Sequence, residues 1–254
     1  FRSGSHSALD DEAFEKIKAL RRELHKIPEL SGQERRTMEV LKTFLREHTS
    51  LSVTDRGGWF YALHQENGAE ETVVFRADMD AIKGAGNIPY HGCGHDGHSA
   101  ILAGLCLLTE GRVFQKNLCF LFHPAEETGE GGNPCSRLLE ELGADRVYGY
   151  HNLPGYPLGT AVMRRETFSC DTVNTPEITD MSRMLFEQEG IPCLEAAAPF
   201  RWSEDFGWYL KKCQGMYFGI GAGEDCPDLH TPEYEFPDEV IRNAVRCLYL
   251  LAEI

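Results

Sequence analysis

Short apolar segments of strand length recur along the chain, WFYALH (59–64), TVVFRAD (72–78), NLCFLFH (117–123), RVYGYH (146–151) and GMYFGIG (215–221). Between and after them lie stretches whose apolar residues are spaced for helices: HSAILAGLCLL, SRLLEEL, PEITDMSRMLFEQEG, SEDFGWYLKKC and PDEVIRNAVRCLYLLAEI. Strands that alternate with helices must be joined by crossovers, which makes neighbouring strands parallel and covers both sheet faces. The pattern predicts an α/β fold of three layers, a largely parallel or mixed sheet flanked by helices. Two further helices are expected ahead of it, over 10–26, where Phe14, Ile17, Leu20 and Leu24 form one stripe, and over 34–48, after the turn signal PELSGQ. Residues 160–176 carry no convincing element and are read as a joint.

With 254 residues and 42% apolar content, the chain is long enough for a sizeable core. Its longest apolar run, ILAGLCLL (101–108), is far below the roughly 18 to 20 residues that span a bilayer, and no charged-then-apolar signal opens the sequence. Membrane insertion and secretion are therefore not expected. The opening FRSGSHS reads as an appended or disordered leader and is set aside from fold reasoning. A formal charge of −15 with no basic cluster excludes nucleic acid as a natural partner. Nine cysteines without a CxxC pair do not form a disulfide framework, so they are read as reduced thiols of a cytoplasmic protein.

The polar residues that could do chemistry fall where strands of an open α/β sheet hand over to loops, the edge at which such sheets bind ligands. Asp78 and Asp80 end one strand, HPAEE follows another, His151 ends a third, and His230 lies in the loop after GMYFGIG. HGCGHDGHS (91–99) directly precedes a helix. Thiolate, imidazole and carboxylate are the ligands of borderline divalent ions, and on an extended backbone Cys93 and His95 would share a face. The glycines around them let the backbone approach an ion. If HPAEE opens a helix, Glu126 and Glu127 are rotated by about 100° and take different tasks, one ligating and one facing a water. His6, His25, His48 and His64 read as surface or hydrogen-bonded residues, and His91, His98 and His123 as supporting ones.

RADMDA, HGCGHDGHSAIL, FHPAEETGEGG, HNLPG, SEDF and LHTPEYEF, in that order, resemble the amidohydrolase branch of the M20 metallopeptidases, which includes aminoacylases, hippurate hydrolases, indole-acetyl-amino-acid hydrolases and N-acetyl-diaminopimelate deacetylases. The resemblance runs from about residue 12 to the end. It implies a zinc-peptidase-like catalytic domain over 10–254 and a dinuclear site. Cys93, His95, Glu127, His151 and His230 then look like the metal ligands, and Glu126 is similar to the family's general base. Asp78 resembles an acid that orients a neighbouring ligand, with Arg76 where other M20 enzymes carry a histidine ligand. Two divalent ions are implied, zinc foremost, with manganese, cobalt or nickel as alternatives. The substrate implied is a small N-acyl amino acid or peptide, hydrolysed at its amide bond.

The sequence departs from the family in one large respect. Members carry a ferredoxin-like lid, inserted after HNLPG, that forms the dimer and supplies a histidine to the oxyanion. Here GTAVMRRETFSCD passes straight to TVNTPEITD, so the lid is absent at the joint over 160–176 and the family dimer is expected to be weakened or lost. A lidless metal-binding domain with little turnover is the alternative reading, and a Cys93–His95 thiol hydrolase ranks below both.

Overall fold

The computed structural model describes residues 6–254, so residues 1–5 of the leader expected from the sequence lie outside the described residues. The chain begins with α1 (Asp11–His25) and α2 (Arg35–His48), then β1 (Ser52–Asp55), β2 (Phe60–His64) and β3 (Thr72–Asp78). A small ribbon of β4 (Ile82–Lys83) and β5 (Pro89–Tyr90) leads to α3 (His95–Thr109), β6 (Asn117–His123), α4 (Gly132–Leu142) and β7 (Arg146–Pro154). Next come β8 (Ala161–Met163), β9 (Thr167–Ser169), β10 (Thr172–Val173), α5 (Pro176–Gln188) and β11 (Cys193–Glu195). The chain ends with α6 (Gly207–Leu210), β12 (Gln214–Gly223) and α7 (Val240–Glu253).

Eight strands form one mixed sheet in the order β1-β2-β6-β3-β7-β12-β8-β11. Its centre, β6-β3-β7-β12, is parallel, while β2 and β8 run antiparallel to it on either side. The side-chain alternation of β3 shows how the layers form. Val73, Phe75 and Ala77 join Phe120, Phe122, Tyr148 and Phe218 in a core with α1, α2, α3 and α7. Val74 points the other way, to Leu121, Val147, Tyr217 and the residues of α4 and α6. Packed against the sheet on one side and α1, α2 and α7 on the others, α3 is buried on almost all sides, so Leu102 and Leu105, both 0% exposed, each contribute on the order of 2 kcal/mol of apolar burial.

Residues 160–176 and SEDFGWYLKKC are among the places where the structure departs from sequence expectation. Residues 160–176 hold three short strands, each of two or three residues and too short for alternation to register. SEDFGWYLKKC is helical only over Gly207–Leu210, because Glu204 and Asp205 turn inward to Arg76 and the Glu204 carboxylate accepts the Phe206 N–H at 3.1 Å. Those local bonds hold the backbone out of a helix.

Candidate metal centre

The carboxyl ends of β3, β6, β7 and β12 deliver their polar residues to one place. Cys93, His95 and His151 form one trio whose ligand atoms lie within 4.8 Å of one another, and Cys93, Glu127 and His230 form a second within the same limit. Cys93 belongs to both. Its sulfur is 3.4 Å from Nε2 of His151, whose Nδ1–H donates to the Asn152 carbonyl at 2.7 Å, leaving the Nε2 lone pair directed at the thiol. His95 Nε2 lies 3.5 Å from Glu127 Oε1 and 3.7 Å from Glu126 Oε2. His230 sits at the rim, half-exposed, 3.9 Å from Glu127. The five residues singled out as ligands and Glu126 are thus neighbours, although they come from four separate stretches of chain.

Local conformation differs from what the sequence suggested. Gly92 and Cys93 lie in a turn rather than in extended chain, Gly94 caps α3 and His95 opens it. Gly94 adopts φ +83°, and a Cβ there would come within 2.4 Å of Tyr234 Oη and 2.5 Å of Asn152 Nδ2, so only glycine fits. Glu126 and Glu127 occupy a turn, not a helix, because α4 begins only at Gly132. Ala125 before them takes φ +52°, a strained value for a residue with a Cβ, and its N–H is held by the buried Glu34 carboxylate at 2.8 Å. That turn, rather than helical rotation, sends Glu126 toward Asp80, Glu204 and Asp205 and Glu127 toward His230. His230 has positive φ as well, 66°, with its N–H on the Gly92 carbonyl at 2.7 Å.

The electrostatics suit a cation. Burial disfavours a charged His95, yet Asp78, Cys93 and Asp80 overcome it and hold the imidazole well above its ordinary value. Burial, then the charge of Glu204, pushes Glu126 well above the usual carboxylate range. His151 is driven well below its ordinary value by burial and by His98. His95 Nε2 and Glu127 Oε1 are buried polar atoms with no hydrogen-bond partner, an arrangement that is costly unless a ligand satisfies them. The donor set of one thiol, imidazoles and a carboxylate fits a borderline divalent ion.

A family model described as Peptidase family M20/M25/M40 matches residues 74–254. The chain belongs to that family. Among curated relatives, the N-acetyldiaminopimelate deacetylase of Priestia megaterium is 31% identical over 169 residues, covering 60% of this chain and 44% of the relative. That of Lactobacillus helveticus is 30% identical over 199 residues, covering 70% and 52%. The chain thus spans about half the length of the curated relatives it matches. Among solved structures, the Bacillus subtilis YXEP protein, described as a dinuclear metal binding peptidase from the M20 family, superposes with a TM-score of 0.86 at 18% identity, covering 96% of this chain and 98% of that one. A protein of methicillin resistant Staphylococcus aureus described as a putative aminohydrolase gives 0.84 at 16% identity, covering 96% and 97%. These likenesses show that the α/β fold is that of M20 enzymes.

Around the centre of this M20 chain stand residues that sequence reasoning did not assign. Asp80, not Asp78, faces His95 Nδ1, at 3.2 Å; its other oxygen accepts the Glu127 N–H at 2.9 Å and the Ser31 hydroxyl at 2.7 Å. Asp78 instead bonds His98 Nδ1 at 2.7 Å and lies 3.5 Å from His95 Nε2. Arg76 is not at the metal-facing position but buried behind it, donating to Asp78, Glu204 and Asp205. The DMD spacing in RADMDA was the available signal for Asp80; for Glu204 and Asp205 only their adjacency in SEDF pointed inward. His123 is taken up by Asp205 and Tyr209, at 2.7 and 2.6 Å, and His91 is buried outside both trios.

Proposed function

We propose that this chain is the catalytic unit of a metal-dependent amidohydrolase that cleaves the amide bond of N-acyl amino acids or related small amides and peptides. The observation that carries this reading is the meeting of Cys93, His95, Glu127, His151 and His230 around buried, unpartnered ligand atoms. In this reading those five residues would hold two divalent ions, zinc foremost, and Cys93 is common to both trios. Such ions supply Lewis acidity toward a carbonyl and lower the pKa of a nearby water.

The protein's own groups do the rest. Glu126 is held in a buried setting where its affinity for a proton is raised, the property a general base near neutral pH needs. It would take the proton of the attacking water and pass it to the departing amine, releasing a free amine and a carboxylate. A cleft of about 590 Å³ bordered by Glu126, Glu127, Trp202, Trp208, Lys211 and His230 opens beside it, a size suited to a small substrate. Among the described residues no helix is long and apolar enough to cross a membrane. The thiol-nucleophile alternative is disfavoured by burial, which pushes the Cys93 thiol well above its ordinary value, with Glu127 and Glu126 adding to the shift.

A second reading is a lidless metal-binding domain that turns over poorly, with the family dimer weakened without the lid; the direct passage of GTAVMRRETFSCD into TVNTPEITD, near residues 160–176 where the lid would be inserted, favours it. Loss of one preorganised oxyanion donor would cost about 2.7 to 4 kcal/mol of barrier. The test is metal stoichiometry together with amine release from a panel of acetyl and benzoyl amino acids. Bound metal with release supports the hydrolase; bound metal without release supports the second reading; absence of bound metal defeats both.

A further inference from the structure

The loops carrying Cys93 and His151 are separated by 58 residues in sequence, yet their ligand atoms are in contact. One side chain spans the gap. Asn152 donates from Nδ2 to the Cys93 carbonyl at 3.0 Å, while its Oδ1 accepts the Tyr234 hydroxyl at 2.7 Å. A carbonyl can only accept, so the nitrogen end of the amide must face Cys93 and the orientation is fixed by chemistry. The backbone N–H of Asn152 donates to His98 Nε2 at 3.0 Å, and its carbonyl accepts the Nδ1–H of His151. Every polar group of this residue is therefore committed to the two loops or to what supports them.

His98 completes the arrangement from below. Its Nδ1 faces Asp78 at 2.7 Å and must carry the proton, which leaves Nε2 as the acceptor that Asn152 needs. Asp78 is anchored in turn by Arg76 Nη1 at 3.3 Å. The missing side chain at Gly94 is what lets the Asn152 amide and the Tyr234 hydroxyl come so close to the turn.

We infer that Asn152, seated on His98 and Tyr234, is a positioning residue that sets the separation of Cys93 and His151 and fixes the His151 tautomer, so that both present lone pairs to the same cation. The inference rests on the ligand set proposed above, and neither Asn152 nor His98 is itself placed in that set.

The test uses the full chain titrated with cobalt(II) against a chromophoric chelator, reading affinity and the near-ultraviolet sulfur-to-cobalt band. Asn152→Asp keeps the shape of the side chain but removes the donor to Cys93; cobalt affinity is expected to fall about 10- to 100-fold, with the band shifted. Tyr234→Phe removes only the hydroxyl behind the amide and is expected to lower affinity about fivefold, the worth of one neutral hydrogen bond. Should Asn152→Asp fail to fold by circular dichroism, Tyr234→Phe decides alone. Folded variants that keep wild-type affinity and band overturn the inference while leaving the ligand set standing. A wild-type chain that binds cobalt without the band overturns the ligand set, and this inference with it.

Discussion

Asp80 grips His95 from behind, its Oδ1 3.2 Å from the histidine Nδ1, while its second oxygen accepts the Glu127 N–H at 2.9 Å. One carboxylate thereby orients two of the residues proposed to hold metal. Removing it frees the imidazole to rotate and releases the Glu127 turn. Asp80→Ala is expected to weaken metal binding by about 10- to 100-fold, the cost usually seen when such a partner is lost. Competition titration with zinc against a chromophoric chelator measures it, and wild-type affinity would refute the orienting role.

Glu126 and Glu127 are adjacent, but only Glu127 belongs to a trio with Cys93 and His230, while Glu126 faces Asp80, His95, Glu204 and Asp205. Their substitutions should separate binding from turnover. Glu126→Gln is expected to keep its metal content and lose about 10²- to 10⁴-fold in rate, the usual contribution of a positioned base. Metal analysis beside an amine-release assay reads both quantities. Full activity in this variant would remove Glu126 from the proposed chemistry.

Arg76 is 0% exposed and faces Asp78, Glu204 and Asp205, with distances from 2.7 to 3.3 Å. Its cationic form is favoured despite burial by the surrounding carboxylates, Glu204 first. Burial in turn pushes Glu204 up to about 7, with the Arg76 charge opposing the rise. Replacing Arg76 by Met leaves buried acids facing one another without a counter-charge. Urea unfolding of Arg76→Met should show a loss of about 3 to 5 kcal/mol. Arg56, whose pairing with Glu141 lies at the surface, offers the contrast: Arg56→Ala should cost about 1 kcal/mol or less. Equal effects in the two variants would contradict the assignment of Arg76 as the central counter-charge.

The layers and central strands were legible because their signal is local: Val73, Phe75 and Ala77 alternate with Val74 in a single run of sequence. The neighbourhood of Cys93, His95, Glu127, His151 and His230 was legible for a different reason, since the end of a parallel strand fixes where its following loop begins. What eluded the sequence were tasks decided by distance alone. Nothing in RADMDA distinguishes the acid that meets His95 from the acid that meets His98; the end of β3 at Asp78 does so by carrying Asp80 past the sheet edge. The turn at Ala125 was equally hidden, because its positive φ depends on Glu34, some 91 positions away. Short strands such as β8 and β11 draw their order from neighbours rather than from any pattern of their own.

His25, at the end of α1, places Nδ1 2.8 Å from Asp96 Oδ2, the same oxygen that accepts from Arg21 at 3.2 Å. The bond to Asp96 raises the affinity of His25 for its proton above the ordinary value of 6.5, against an opposing effect of burial. The folded protein therefore holds a proton that the unfolded chain releases sooner. By linkage, the stabilisation is fully present below about pH 6.5 and disappears as pH rises through the elevated folded value. His25→Gln removes that titration, so its unfolding free energy should decline less than that of the wild type from pH 6.5 upward. Urea melts of the two proteins at matched pH, from acidic to mildly alkaline, isolate the effect, since the remaining titrations are shared. Parallel curves over that interval would show that the Asp96 contact does not hold the proton, and a gap that widened in the opposite sense would mean that His25 is stabilised in its neutral form.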